Sequence, residues 1–150
     1  MGSDAAMKLE DLEPLVGRWT TVVSLPGADG VVSGRTSFVW LERGGYLVQR
    51  SEMDDARFPQ TMMVIGPTAD GSRIVGHYFD SRGVARVYEI SLAAGALRLW
   101  RDGPDFAQRY SAQISADGTT IDGAWEIRDD DAGWRHDFDM CHERVGSGDP

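Results

Sequence analysis

Most of this 150-residue chain consists of short segments in which apolar and polar residues alternate. A period of two is typical of a β-strand with one face in a core and the other in water. Between the segments stand residues that suit tight turns, as in Asp70-Gly71, Arg82-Gly83 and Asp117-Gly118. The pattern predicts about ten strands, at residues 17–24, 34–41, 46–52, 60–66, 73–80, 84–91, 96–101, 106–114, 119–128 and 133–144.

Strands joined in sequence order by tight turns predict an antiparallel up-and-down sheet. Closing a sheet of this size into a barrel removes its exposed edges. We therefore predict an all-β protein with one barrel domain at residues 8–145, and a sandwich of two sheets is the alternative. Residues 1–7 and 146–150 are small and polar, and we expect them to be disordered tails.

Helical spacing occurs in one stretch, residues 8–16. Leu9, Leu12 and Leu15 recur every three residues, and Gly17 is expected to end the helix. A short amphipathic helix must bury its apolar stripe against another element. We therefore expect this helix to dock on one end of the barrel.

The chain carries 24 acidic and 15 basic residues, which gives a formal net charge of −9. Such a surface repels phosphate backbones and anionic lipids, so neither nucleic acid nor a membrane is an expected partner. The single cysteine, Cys141, excludes an intrachain disulfide and a zinc–thiolate cluster. The sequence shows no secretory signal or apolar span, and we expect a cytoplasmic protein. Assembly into a homodimer is left open.

The last predicted strand places Trp134, His136, Phe138, Met140 and His142 on one face. We expect this face to point into the barrel, with His136 between two aromatic rings. His136 is then either a hydrogen-bonded core histidine or an imidazole that faces a ligand. His142 lies near the end of the strand and is expected at the rim.

Further polar residues share strand faces with apolar ones. His77 lies on the face of Phe79 and is predicted to point inward, although no histidine spacing indicates a metal site. Arg50 and Arg101 also lie on apolar faces, where an unpaired charge is costly. Each is expected to pair with an acid such as Glu52 or Glu89, to face a wet cavity, or to reach solvent at a strand end.

Five tryptophans and four tyrosines are spread over many strands. They either form the walls of a pocket or fill the core. Polar anchors within apolar walls are the usual composition of a small-molecule site. The residues predicted to bind a ligand are Arg50, His77, Tyr88, Arg101, Gln108, Tyr110, Trp125, His136 and Phe138, and no catalytic residue or metal ligand is predicted.

A short helix that runs into Gly17-Arg18-Trp19 resembles the opening of calycin-type barrels, the group of lipocalins, fatty-acid-binding proteins and nitrobindin-like haem proteins. The segments 99–102, 106–110, 123–126 and 134–139 resemble an uncharacterised bacterial family of the same barrel type, and this likeness covers residues 9–145. The resemblance implies a calycin-like barrel in a bacterial protein. It implies no function.

Nitrobindins open with a Gly-x-Trp-x-Gly-x-Gly pattern. In this chain Thr21 and Val23 stand at the positions of the later glycines. Nitrobindins bind haem through a histidine near the C-terminus, and His136 is the nearest match. The resemblance therefore implies His136 as the residue through which haem would bind.

Three functions and one further interpretation follow from these patterns. The leading hypothesis is that the barrel binds a small, largely apolar molecule. The second is an enzyme that uses the same cavity to cyclise or isomerise a hydrophobic metabolite, because positioning alone lowers a barrier. The third is haem binding of the nitrobindin kind. A barrel filled by its own side chains that associates with a partner is the remaining interpretation.

Overall fold

The chain forms a closed barrel of ten antiparallel strands, as predicted. The computed structural model describes residues 7–27, 30–41, 45–129 and 133–146. Each strand pairs with its neighbours in the sequence, and β1 pairs with β10 to close the barrel. The strands are β1 (Gly17–Ser24), β2 (Val31–Leu41), β3 (Tyr46–Met53), β4 (Thr61–Pro67), β5 (Ile74–Asp80), β6 (Ala85–Ala93), β7 (Ala96–Asp102), β8 (Ala107–Ile114), β9 (Thr120–Arg128) and β10 (Arg135–Arg144).

The predicted N-terminal helix is a 3₁₀ helix at Leu9–Leu15. Pro14 lies inside it and has no N–H to donate, which suits the short 3₁₀ form. The predicted tails lie outside the described residues except for Met7, which packs against the core, and Gly146. No helix of the described segments is long and apolar enough to cross a membrane.

The helix covers one end of the barrel, which we call the closed end. Leu12 and Leu15 are fully buried there beside Trp19 of β1. The Trp19 indole Nε1 donates a hydrogen bond to the Leu15 carbonyl at 2.9 Å. The Trp40 indole Nε1 of β2 donates to the Glu13 carboxylate at 2.8 Å. Two tryptophans therefore hold the helix across the end of the sheet.

Arg144 of β10 fixes the point where the helix joins β1. Its guanidinium donates to the carbonyls of Val16 at 2.7 Å, Pro14 at 2.8 Å and Gly118 at 3.0 Å. It also stacks on the Trp19 ring, 4.2 Å from the ring centroid. A Cβ atom on Gly17 would lie 2.5 Å from the guanidinium, and Gly17 has a φ of +133°. A glycine is therefore required at this junction.

Replacement of Arg144 by alanine is expected to lower the free energy of unfolding by about 2 kcal/mol or more, because three carbonyls lose a charged donor. Urea unfolding followed by tryptophan fluorescence measures the change. Arg98→Ala is the matched control, since Arg98 is exposed on β7. Equal stability of the two variants would contradict the assigned role of Arg144.

Candidate ligand-binding cavity

A cavity of about 440 Å³ occupies the barrel between the closed end and the opposite, open end. This volume lies within the range of roughly 300–1,000 Å³ that is typical of small-molecule sites. All ten strands contribute side chains to its lining. Leu15 of the helix forms part of the lining, whereas Phe58, Arg82, Arg86 and Phe106 line it near the open end. The barrel is therefore not filled by its own side chains.

An aromatic wall lines one side of the cavity. Ring centroids are 5.8 Å apart for Tyr78 and Tyr88, and 5.7 Å apart for Tyr88 and Trp125. Trp125 in turn lies 5.3 Å from Tyr110 and 6.4 Å from Phe138. Edge-to-face and tilted ring pairs of this kind are favourable. The wall therefore offers a large apolar surface to a ligand.

The tyrosine hydroxyl groups of this wall are bound to the protein itself. Tyr110 donates to the Met140 carbonyl, and Tyr88 donates to the Gln108 side-chain oxygen, both at 2.7 Å. Burial raises the pKa of the Tyr110 and Tyr88 phenols, so both stay protonated. The Gln108 amide nitrogen has no hydrogen-bond partner among the described residues. It can therefore donate to a ligand in the cavity.

Deep in the cavity, a chain of hydrogen bonds connects three strands to a histidine. The Ser51 and Thr36 hydroxyl oxygens lie 3.0 Å apart, and those of Thr36 and Thr21 lie 2.6 Å apart. The Thr21 hydroxyl is 2.9 Å from Nδ1 of His142. Thr36, Ser51 and His142 line the cavity. We call these three hydroxyl groups and the imidazole the hydroxyl chain.

His142 was expected at the rim of the barrel. It is instead buried, with 6% of its surface exposed. Burial lowers the pKa of its imidazole to about 4, so the ring is neutral near pH 7. Its Nε2 atom has no hydrogen-bond partner among the described residues. No described side-chain N or O atom is both fully buried and unpaired, so Nε2 has some accessible surface. Nε2 is therefore open to the cavity.

The lowered pKa of His142 makes the stability of the barrel depend on pH. An unfolded histidine binds a proton near pH 6.5, whereas the folded one does so only near pH 4. The unfolded state therefore binds more protons between these values, and stability is lost as the pH falls through them. Between about pH 7 and about pH 4.5 we expect His142 to account for a loss of about 2 kcal/mol.

Urea unfolding of the wild type and His142→Gln at both pH values measures this loss, since the variant lacks the titrating group. The difference between the two proteins is the contribution of His142. An identical dependence on pH in both would contradict the assignment.

Five of the nine residues predicted to bind a ligand line the cavity. They are Tyr88, Gln108, Tyr110, Trp125 and Phe138. These five side chains point into the barrel, and their role in ligand binding stays a prediction. The other four residues have different surroundings.

The predicted orientation of His136 is wrong. Its side chain is 50% exposed, and its Nε2 lies 2.9 Å from the Asp139 carboxylate. The register between β9 and β10 shifts between His136 and Phe138, which is a β-bulge. A bulge inserts one residue and reverses the faces on which later side chains lie. Phe138 therefore points inward, whereas His136 points outward.

His77 lies outside the barrel, contrary to prediction. Arg50 also lies outside, which agrees with the alternative that it reaches solvent. His77 is exposed on β5, where its neighbour Tyr78 takes the inward position. Arg50 is exposed on the outer face of β3, between the cavity-lining Gln49 and Ser51. In both strands the outer face also carries apolar residues, so alternation alone indicates the wrong face.

Arg101 lies near the open end but does not line the cavity. Its side chain is 16% exposed and stacks on the Phe106 ring, 4.5 Å from the centroid. It donates to the Phe106 carbonyl at 3.3 Å, and the Asp105 carboxylate is 3.9 Å away. Glu52 and Glu89, the acids expected to pair with the arginines, bind Arg35 and Arg73 instead.

Two cavity-lining arginines were not predicted from the sequence. Arg82 follows β5 and binds the Asp80 carboxylate at 2.6 Å, which lowers the pKa of Asp80. Arg86 of β6 lies over the Phe106 ring, 5.1 Å from the centroid, and has no carboxylate partner among the described residues. No group of three possible metal ligands occurs among residues 7–27, 30–41, 45–129 and 133–146.

Comparisons with known proteins support the barrel fold. No protein-family model matches the chain, and no curated protein matches it. Among solved structures, 17 chains match. One is the crystal structure of Rv2717c from M. tuberculosis, with a TM-score of 0.65 and 13% sequence identity over 95% of this chain and 100% of that chain. At this identity the likeness shows a shared fold.

Proposed function

We propose that the barrel binds a small, largely apolar molecule in its interior cavity. The proposal is based on the cavity of about 440 Å³ inside the barrel, which has an aromatic wall. Burial of an apolar ligand there is favoured by roughly 25 cal/mol for each Å² removed from water. The helix at the closed end leaves the open end as the route of entry.

Polar groups at different depths support a ligand with a few hydrogen-bonding atoms. The Gln108 amide can donate from the aromatic wall, and the His142 imidazole faces the deep part of the cavity. Arg86 near the open end can bind a polar group that reaches towards solvent. A few polar anchors within apolar walls fix the orientation of a bound molecule.

We also propose that the protein is a calycin-like barrel from a bacterium that acts in the cytoplasm. The helix before β1, the junction at Gly17-Arg18-Trp19 and the up-and-down strand order support the calycin assignment. The likeness to Rv2717c supports a common barrel fold.

Two adjacent methionines of β4 provide a matched test of binding in the cavity. Met63 lines the cavity, whereas Met62 lies on the outer face. We expect 1-aminoanthracene, a neutral fluorescent probe, to bind the wild type. Met63→Trp is expected to weaken binding at least about tenfold because the larger ring fills the space of the probe, a loss of roughly 1.4 kcal/mol.

Met62→Trp is the control and is expected to bind the probe as the wild type does. Thermal unfolding checks that both variants are folded. Absence of binding by the wild type, or equal weakening by both substitutions, would exclude the interior cavity as the site.

Haem binding is the second candidate, and His142 rather than His136 is the residue that would ligate the iron. The Nε2 atom of His142 is open to the cavity, and its Nδ1 is bound to the Thr21 hydroxyl. A ligating histidine usually has such a second partner, which orients the ring. His142 therefore fits the donor role, and the apolar walls fit a porphyrin. If haem were bound, His142 would hold it, and the haem would supply an iron centre inside the cavity.

Addition of haemin to the purified protein tests this candidate. A Soret band that His142→Ala abolishes and His136→Ala retains would support ligation by His142. Absence of a shifted Soret band with the wild type, or a band that survives His142→Ala, would contradict this candidate.

A further inference from the structure

We propose that the hydroxyl chain is a proton relay that moves a proton between two atoms of a ligand in the cavity. The activity is a tautomerase or isomerase reaction on a small, apolar, enolisable carbonyl compound. This inference rests on the proposed function, since it requires that the cavity takes up such a molecule. The inference is based on the order of the four groups in the hydroxyl chain and on the position of the two ends of that chain.

Both ends of the hydroxyl chain face the cavity, and its middle does not face solvent. His142 and Ser51 line the cavity at the two ends. Thr21 is fully buried and Thr36 is 2% exposed. Water therefore has little access to the middle of the chain. A proton can therefore pass from one end of the chain to the other along buried hydroxyl groups.

Two arrangements of these hydrogen bonds run in one direction along the whole hydroxyl chain. Each hydroxyl group donates one hydrogen bond and accepts others, and a neutral imidazole has one donor and one acceptor nitrogen. In one arrangement Nδ1 of His142 carries the proton, every hydroxyl donates away from His142, and Ser51 donates into the cavity. In the other arrangement Nε2 carries the proton and every hydroxyl donates towards His142. The tautomer of His142 and the direction of the chain therefore change together.

The first arrangement can convert a ketone to its enol. Nε2 of His142 takes a proton from the carbon beside the carbonyl, and the electron pair of the broken C–H bond forms the C=C bond. The Nδ1 proton moves to Thr21, the Thr21 proton to Thr36 and the Thr36 proton to Ser51. At the same time the π bond of the carbonyl breaks and its electron pair moves to the oxygen, where it takes the proton that Ser51 gives up and forms the enol O–H bond. The second arrangement carries out the reverse reaction, and exchange with water in the cavity restores the first.

Transfer along the chain avoids a charged histidine. His142 acting alone as a base would become an imidazolium ion in an apolar environment, which is costly. In the relay His142 gives up one proton as it takes up another, so the buried groups stay neutral throughout. The Thr21 and Thr36 oxygens lie 2.6 Å apart, which is within the range of a direct hydrogen bond between hydroxyl groups.

Hydrogen exchange of 2-tetralone, an apolar enolisable ketone, tests the relay. In D₂O, enolisation and return replace the hydrogens beside the carbonyl by deuterium, which ¹H NMR follows. We expect the wild type to raise the exchange rate by about 10²-fold over buffer. Thr36→Val keeps the shape of the side chain but cannot transfer a proton, and is expected to lose most of this increase. Thr36→Ser restores the hydroxyl group and is expected to restore the rate.

Binding of 2-tetralone is measured separately by quenching of tryptophan fluorescence, since Trp125 lies in the aromatic wall. His136→Gln on the outer surface is the control for an effect of an unrelated imidazole. If Thr36→Val does not fold, Ser51→Ala is used instead of it. This substitution removes the proton donor at the end of the hydroxyl chain. It is expected to lose the same activity.

Binding of 2-tetralone without faster exchange would overturn the relay and leave the proposed function intact. Retention of the full rate by Thr36→Val or Ser51→Ala would also overturn the relay, since His142 would then act without the chain. If neither 2-tetralone nor 1-aminoanthracene binds, the proposed function fails and the relay fails with it.

Discussion

The contact of Arg144 with the helix and Trp19 determines what kind of barrel this chain forms. A barrel of ten strands is open at both ends unless another element covers one of them. Here one guanidinium binds the carbonyls at the end of the helix and lies on the Trp19 ring. With Leu12 and Leu15 buried beneath it, the helix closes that end against water. Among the described residues, the interior is therefore covered at the end that carries the helix and is lined mainly by apolar side chains.

Strand number, strand order and the helix could be predicted from the sequence because each depends on local signals. Period-two alternation and glycine-containing turns are local, and strands joined by short turns can pair only with their neighbours in sequence. Five of the nine proposed site residues were placed correctly for the same reason, since Tyr88, Gln108 and Tyr110 lie in regular strands. The 3₁₀ form of the helix depends on Pro14 and on its contacts with the sheet.

The face on which a side chain lies was predicted less well, because it depends on the whole barrel. A bulge between His136 and Phe138 in β10 places these two residues on opposite faces, and its position follows from the pairing with β9. In β5 the outer face is apolar at Phe79, so Tyr78 and His77 could not be told apart by hydropathy. His142 was missed for a different reason: its partners Thr21 and Thr36 come from distant strands, and only the closure of β1 on β10 brings them together.

The polar groups in the cavity are the features on which the proposed binding of a ligand depends most. A barrel that needed only stability would be served by apolar side chains at these positions, because each buried polar group must find a partner or cost free energy. Thr21 and Thr36 satisfy each other, but the amide nitrogen of Gln108 and Nε2 of His142 find no partner among the described residues. Such atoms gain a hydrogen bond when a polar atom enters the cavity. Their arrangement within apolar walls is the physical basis of the proposal that the cavity binds a molecule that is mostly apolar and carries a few polar atoms.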